Sequence, residues 1–154
     1  MKRVQGFTVI MLFAIMSMCL FSKEAKASSA SVEFSTEAQE VTAGSEFTVV
    51  CRVSSAERFS DVEMNVLYDA SVMEFVKGGK KVSGGNGVLH ISSTGNEDQV
   101  KKRTYSLQFK ALSEGTGAME LDPRVSVKNL EGSAFSVSSN RLLVTVVPTG
   151  TPGE

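Results

Sequence analysis

The amino-acid sequence predicts an all-β domain, a sandwich or barrel of about eight or nine short strands. Apolar and polar residues alternate with a period of two in several segments, most regularly from Arg103 to Leu112. Turn signals separate these segments roughly every 8–12 residues, and no helical pattern occurs after residue 27. Residues 41–44 and the glycine-rich segment 83–87 are among the predicted turns. Because each alternating segment has one apolar side, the pattern favours two sheets that share a core and expose their other faces.

The first 27 residues have the three-part layout of a secretory signal peptide. Lys2 and Arg3 give a basic start, an uncharged run of 15 residues extends from Phe7 to Phe21, and Ala25-Lys26-Ala27 offers small residues for cleavage after Ala27. A transmembrane anchor is the alternative, but crossing a bilayer takes about 20 apolar residues. The sequence therefore predicts an extracellular protein that has no stable membrane span after cleavage, although association with the cell surface remains open.

Residues 28–147 are predicted to form one domain, and residues 148–154 ("PTGTPGE") are predicted to form a linker-like tail. Segment 1–27 holds four basic residues and one acidic residue of the 16 and 17 in the whole chain, which leaves 12 and 16 and a net charge of −4. No basic patch stands out in this remainder. Nucleic acid is therefore not expected as a partner.

Residues 61–76 are predicted to form two strands joined by a polar corner. From residue 61 to residue 68 the alternation separates an apolar face from a mostly polar one. The apolar set is Val62, Met64, Val66 and Tyr68, and the opposite set is Asp61, Glu63, Asn65 and Leu67. Residues 69–71 break the alternation, and an apolar run then restarts from Val72 to Val76.

The outward side of this segment is the candidate functional surface. If strands 61–67, 88–92 and 104–110 share a sheet, their outward residues form one face of charged groups, amides, hydroxyls and a few apolar side chains. The predicted partner-binding residues on it are Asp61, Glu63, Asn65, His90, Ser106 and Gln108. Protein-binding faces have such a composition, and so do ordinary solvated faces, so the pattern alone supports both interpretations equally.

The chain offers no catalytic pair. His90 is the only histidine and its phase points outward, whereas Cys51 shares an apolar, inward face with Phe47 and Val49. Nucleophilic catalysis by serine or cysteine needs the imidazole beside the nucleophile, so we predict a protein that is not an enzyme. Cys51 is predicted to be a buried, inert thiol. Since Cys19 leaves with the signal peptide, no intrachain disulfide is expected.

Metal and sugar sites have little support in the sequence. The carboxylate pairs Glu97-Asp98 and Asp61/Glu63 lack the number of ligands that a calcium loop provides, so no metal or cofactor is predicted. The chain has no Trp, and Tyr68 and Tyr105 lie on inward phases, so a flat aromatic platform for polysaccharide is not expected. Polar sugar contacts in the loop 96–98 stay open as an alternative.

Three segments, in this order along the chain, resemble the cohesin family. They are "AGSEFTVVCRV" (43–53), "VEMNVLYDASVMEFV" (62–76) and "YSLQFKALSEGTG" (105–117). Cohesins commonly have a glycine before an "FTV.V.V" strand, then a "YD..VLEFV" segment, and later an "L.FKA...G" segment. The resemblance covers most of residues 31–147.

The resemblance implies a nine-stranded jelly-roll β-sandwich, immunoglobulin-like in outline, secreted by an anaerobic bacterium that degrades polysaccharides. It also implies a non-catalytic role, the binding of a dockerin module carried by a glycoside hydrolase. In cohesins the partner lies on a sheet face that includes the strand before the "YD" corner, which corresponds here to Asp61, Glu63 and Asn65. Ala70 departs from the family, because many members have proline after Tyr-Asp. The alternatives are a carbohydrate-binding module of the same fold and a structural or adhesive domain of the cell surface.

Overall fold

The computed structural model describes residues 27–94 and 98–150. Residues 1–26 of the predicted signal peptide, and residues 151–154 of the predicted tail, lie outside this part. The described residues form twelve strands and no helix. The strands are β1 (Ser29–Thr36), β2 (Glu40–Thr42), β3 (Glu46–Phe59), β4 (Asp61–Tyr68), β5 (Met73–Lys77), β6 (Val82–Gly85), β7 (Val88–Ser93), β8 (Val100–Ala111), β9 (Gly115–Leu121), β10 (Ser126–Lys128), β11 (Ser136–Ser139) and β12 (Leu142–Val147).

The strands form two sheets that pack face to face as a sandwich. The five-stranded sheet has the order β11-β1-β3-β8-β5. The seven-stranded sheet has the order β2-β12-β9-β4-β7-β6, and β10 pairs with β4 beside this path. Two pairs are parallel, β1 with β11 and β12 with β2. Both involve a strand from the beginning of the domain and one from its end, so the two ends of the chain complete the two sheets.

The predicted inward phases are confirmed in β3, β4, β7 and β8. Every second side chain is buried over residues 47–53 of β3, 62–68 of β4, 89–93 of β7 and 105–111 of β8, as period-two alternation requires. The buried set includes Val49, Cys51, Val53, Val62, Met64, Val66, Leu89, Ile91, Leu107 and Phe109. The all-β sandwich predicted from the sequence is therefore the observed fold.

Two short strands were predicted to be turns. β2 lies where residues 41–44 were expected to turn, and β6 lies within the glycine-rich segment 83–87. Gly85 pairs with Val88, and the two residues between them, Asn86 and Gly87, have φ angles of 56° and 96°. An Asn-Gly loop with positive φ at both positions is the preferred two-residue hairpin connection. The turn is thus confined to these two residues, and the glycines before it belong to a strand.

Phe109 lies at the centre of an aromatic cluster that joins the two sheets. The Phe47 ring stacks on it with centroids 5.8 Å apart, and Phe75 approaches edge-on at 5.7 Å. Both rings come from the five-stranded sheet. Tyr68, from β4 of the other sheet, packs edge-on against the same ring at 5.2 Å. Aromatic pairs in such arrangements contribute beyond their buried area, so Phe109 connects the sheets directly below the corner that follows β4.

Replacing Phe109 by alanine should lower the free energy of unfolding by about 3–5 kcal/mol, because it removes a buried ring and leaves a cavity. Gln108 is the matched control, since it neighbours Phe109 but points outward. Gln108→Ala should cost less than about 1 kcal/mol. Urea titrations of both variants test the assignment of the two faces, and equal losses of stability would contradict it.

Cys51 is fully buried on the inner face of β3. Burial raises the pKa of its thiol to about 12. Because the thiolate is the reactive form, the side chain stays protonated and inert near neutral pH. The predicted burial of the Cys51 thiol is therefore confirmed, and its lack of reactivity stays a prediction.

Alkylation by iodoacetamide at pH 8, followed by peptide mapping, tests this protection. We expect Cys51 to remain unmodified in the folded protein and to react fully in denaturant. Rapid modification under native conditions would contradict the buried position.

Candidate functional site

Four of the six predicted site residues lie together on the outer face of the seven-stranded sheet. Asp61, Glu63 and Asn65 alternate along β4, and His90 lies on the adjacent strand β7. The register places Asn65 opposite His90 and Glu63 opposite Ser92. The outer surface of β4, β7, β9 and the beginning of β12 is the candidate partner-binding surface, and we call it the docking face.

The expectation that strands 61–67, 88–92 and 104–110 share a sheet is wrong. β8 lies in the five-stranded sheet, where residues 102–110 pair with β3 residues 46–54. Ser106 and Gln108 point outward from that sheet, so the core separates them from the docking face. Gln108 Nε2 donates to Glu46 Oε2 at 2.5 Å on that other surface. Alternation indicates which side of a strand is buried, but it does not indicate the sheet to which the strand belongs.

His90 is held between two side chains of β4. Its Nδ1 lies 2.9 Å from Asn65 Oδ1, and its Nε2 lies 3.8 Å from Glu63 Oε1. An amide oxygen only accepts hydrogen bonds, so Nδ1 carries a hydrogen and donates it. These contacts orient the imidazole across the boundary between β4 and β7, and they connect three of the predicted site residues.

Apolar side chains occupy the middle of the docking face. Leu67 of β4 lies opposite Val88 of β7, and Leu143 of β12 lies opposite Ala118 of β9. Val88 is 44% exposed and Leu143 is 51% exposed, whereas Leu67 is half-buried. Leu67, Ala118 and Leu143 share a shallow depression of about 320 Å³. These contacts with β9 and β12 could not be inferred from local sequence, because they depend on the order of the strands.

Charged pairs surround this apolar centre. Glu120 of β9 lies opposite Leu67, and its Oε2 is 3.6 Å from Arg141 Nε. Where β9 ends at Leu121, β10 takes its place beside β4 and brings Lys128 opposite Asp61. The docking face therefore combines apolar groups at its centre with groups of both charges at its rim.

Asp122 and Arg124 form the most closely joined of these pairs. Arg124 donates to Asp122 through its backbone N–H at 2.9 Å, through Nε at 3.1 Å and through Nη2 at 2.9 Å. The backbone N–H of Asp122 donates to the Asn65 carbonyl at 2.9 Å, which attaches the pair to β4. The hydrogen bonds from the Arg124 side chain, with that from its backbone, lower the pKa of Asp122 from 3.8 to about 2.

A carboxylate also orders the corner beyond Leu67. Asp69 Oδ1 accepts hydrogen bonds from the hydroxyl and the backbone N–H of Ser71. The Ser71 hydroxyl, followed by its N–H, lowers the pKa of the Asp69 carboxyl. Gly117 packs against this corner so closely that an added Cβ would lie 3.2 Å from the Cβ atoms of Asp69 and Val72. The glycine thus permits the corner to sit directly on β9.

Neither metal binding nor catalysis gains support from the described residues. Residues 27–94 and 98–150 contain no group of three or more His, Cys, Asp or Glu side chains that could hold a metal ion. Cys51 lies in the core while His90 lies on the docking face, which keeps the two apart. The possible sugar contacts at Asn96 and Glu97 lie outside the described residues. The described part of the chain also has no helix with the length and hydrophobicity needed to cross a membrane.

No family model and no curated protein matches the sequence, but solved structures match the fold. The seventh ScaB type I cohesin from Pseudobacteroides cellulosolvens has a TM-score of 0.66 at 13% identity, covering 82% of this chain and 97% of that one. The third ScaC cohesin of Acetivibrio cellulolyticus, solved in complex with the ScaB dockerin, has a TM-score of 0.65 at 10% identity, with 77% and 99% covered. A non-cellulosomal cohesin from the archaeon Archaeoglobus fulgidus has a TM-score of 0.62 at 14% identity, with 77% and 91% covered. The chain is a cohesin-like module in its fold, which confirms the resemblance.

The lowered pKa of Asp122 gives a pH-dependent contribution to stability. A carboxyl whose pKa is lower in the folded protein stabilises the fold above its ordinary pKa, and this contribution is lost as the pH falls through the folded value. We therefore expect the stability difference between wild type and Asp122→Asn to be full at pH 5 and to disappear between about pH 4 and pH 2. Urea titrations across this range measure it.

The variant Arg124→Met tests whether Arg124 is what lowers the pKa of Asp122. It removes the main partner of the carboxylate, so it should lose the same pH-dependent contribution. Differences from wild type that stay constant from pH 5 to pH 2 in both variants would contradict the assigned pairing.

Proposed function

We propose that this chain is a secreted, non-catalytic module that binds a dockerin through the docking face. The observation that carries the proposal is the apolar centre of Leu67, Val88 and Leu143 within a charged and polar rim. Protein interfaces commonly have an apolar centre that is fully desolvated on binding and a polar rim that stays partly wet.

Four of the sequence-predicted residues remain in the proposed site. Asp61, Glu63, Asn65 and His90 supply hydrogen-bonding and charged groups beside the apolar centre. Ser106 and Gln108 lie on the opposite sheet, so a partner seated on the docking face does not reach them. They therefore leave the proposed site and provide an internal control.

The solved cohesins support the class of partner. The ScaC cohesin of Acetivibrio cellulolyticus was solved with a bound dockerin, and another match, at a TM-score of 0.58 and 15% identity, is the sixth scaffoldin B cohesin of that organism, solved in complex with the Cel5 dockerin. By analogy, the partner proposed here is a dockerin joined to an enzyme of polysaccharide degradation. The signal-peptide pattern of residues 1–27 supports an extracellular location.

Carbohydrate binding is less well supported than protein binding. Tyr68 and Tyr105 are each only 7% exposed, so neither offers the flat aromatic surface on which sugars commonly stack. The docking face instead offers aliphatic side chains and paired charges, which suit a protein partner better.

Calorimetric titration against the dockerins encoded in the same genome tests the proposal. Leu67→Ala should weaken binding about tenfold or more, because truncating a central contact commonly costs about 1–2 kcal/mol or more. The double variant Asp61→Ala/Asn65→Ala should also weaken it. Failure of every dockerin to bind would refute the proposed partner.

The double variant Ser106→Ala/Gln108→Ala is the matched control, because it changes two side chains of similar polarity on the opposite sheet. Its affinity should equal that of wild type. A loss of affinity as large as that of Leu67→Ala would show that the docking face is not the binding surface.

A further inference from the structure

A second surface lies on the five-stranded sheet, where β1 stops before β3 does. The two strands pair as far as Thr36 opposite Val49. The chain then crosses to the other sheet, where the Gln39 carbonyl accepts the Thr145 N–H at 2.8 Å. Residues 46–48 of β3 continue with β8 on one side and no strand on the other. We call this stretch and the cavity beside it the β3 notch.

The hydrogen-bonding groups of the β3 notch point into the vacant position. The Ser45 carbonyl accepts the Ala111 N–H at 2.8 Å, so by alternation the backbone groups of Phe47 also point toward β8. The backbone groups of Glu46 and Thr48 therefore point the opposite way. The hydroxyl of Thr36 donates to the Thr48 carbonyl at 3.0 Å, which leaves the Thr48 N–H and both Glu46 groups without a strand partner.

The cavity beside this edge has the dimensions and composition of a peptide site. Its volume is about 700 Å³, within the range of roughly 300–1,000 Å³ that is common for ligand sites. Ala38, Val41 and Phe47 give it an apolar floor, and the exposed carboxylates Glu37 and Glu46 stand at its rim. On the side away from the cavity, Gln108 of β8 donates a hydrogen bond to Glu46, and Lys110 of β8 lies opposite Glu46.

We propose that the β3 notch binds an extended, basic peptide segment of a partner protein by strand addition. The segment would run antiparallel to β3, in line with β1, and bond to both backbone groups of Glu46 and to the Thr48 N–H. Its residue opposite Phe47 would point inward and is expected to be apolar. The residues on either side would point outward and are expected to be basic, because Glu37 and Glu46 are acidic. The β3 notch and the docking face lie on different sheets, so this proposal does not depend on dockerin binding.

The probe is a blocked five-residue peptide of alternating lysine and valine, titrated into the full chain and followed by NMR. We expect saturable shifts of the Glu46 and Thr48 amide resonances and slower hydrogen exchange at both. A peptide N-methylated on every lysine should bind at least about tenfold more weakly, because the amides that face β3 are lost. A peptide N-methylated on every valine is the matched control, since those amides face away, and it should bind like the parent.

Charge is tested by the variant Glu37→Gln/Glu46→Gln, which should weaken binding about fivefold at low salt. Glu114→Gln/Glu131→Gln removes two exposed carboxylates elsewhere and should have no effect. Equal binding of the two N-methylated peptides would overturn strand addition. Absence of saturable binding, or shifts confined to the docking face, would overturn the site.

Discussion

The packing of Tyr68 against Phe109 is the contact on which the candidate site most depends. Tyr68 ends β4 in the seven-stranded sheet, and Phe109 lies in the centre of the opposite sheet, with their ring centroids 5.2 Å apart. With Tyr68 held inward, the pleat turns Leu67 outward, next to Val88. The corner at Asp69 then rests on Gly117, where an added Cβ would crowd Asp69 and Val72 at 3.2 Å. The core thus determines which residues of β4 reach the surface.

Local sequence predicted which side of each strand is buried, but not which strands lie next to each other in a sheet. Met64 and Asn65 were assigned correctly to the core and the surface, because a period of two requires only adjacent residues. Ser106 and Gln108 were assigned to the wrong surface, because the pairing of β8 with β3 joins residues about 60 positions apart. For the same reason the sequence did not predict the whole apolar centre, since Leu143 and Ala118 come from strands late in the chain. The glycines of β6 are typical of a turn, and only the pairing of Gly84 and Gly85 with β7 makes them part of a strand.

The jelly-roll topology itself accounts for the β3 notch. The first strand must leave the five-stranded sheet so that β2 can join β12 at the edge of the other sheet. The crossing takes place over residues 37–39, while β3 continues beside β8. Because β1 stops pairing with β3 at Val49 while β8 continues to Glu46, a short edge of β3 is left exposed. Exposed edges are commonly protected in monomeric proteins, and here the Thr36 hydroxyl satisfies one carbonyl while acidic side chains flank the rest.

The charges of the docking face are largely matched within the face itself. Glu120 faces Arg141, Asp122 is held by Arg124, and Lys128 lies opposite Asp61. Such internal pairs reduce the long-range field that a partner would feel, so they contribute little to attraction at a distance. A partner must instead meet each pair with a complementary arrangement or leave it hydrated at the rim. For the proposed complex we therefore expect affinity to rest mainly on the burial of Leu67, Val88 and Leu143, and we expect the surrounding charges to select the partner and its orientation.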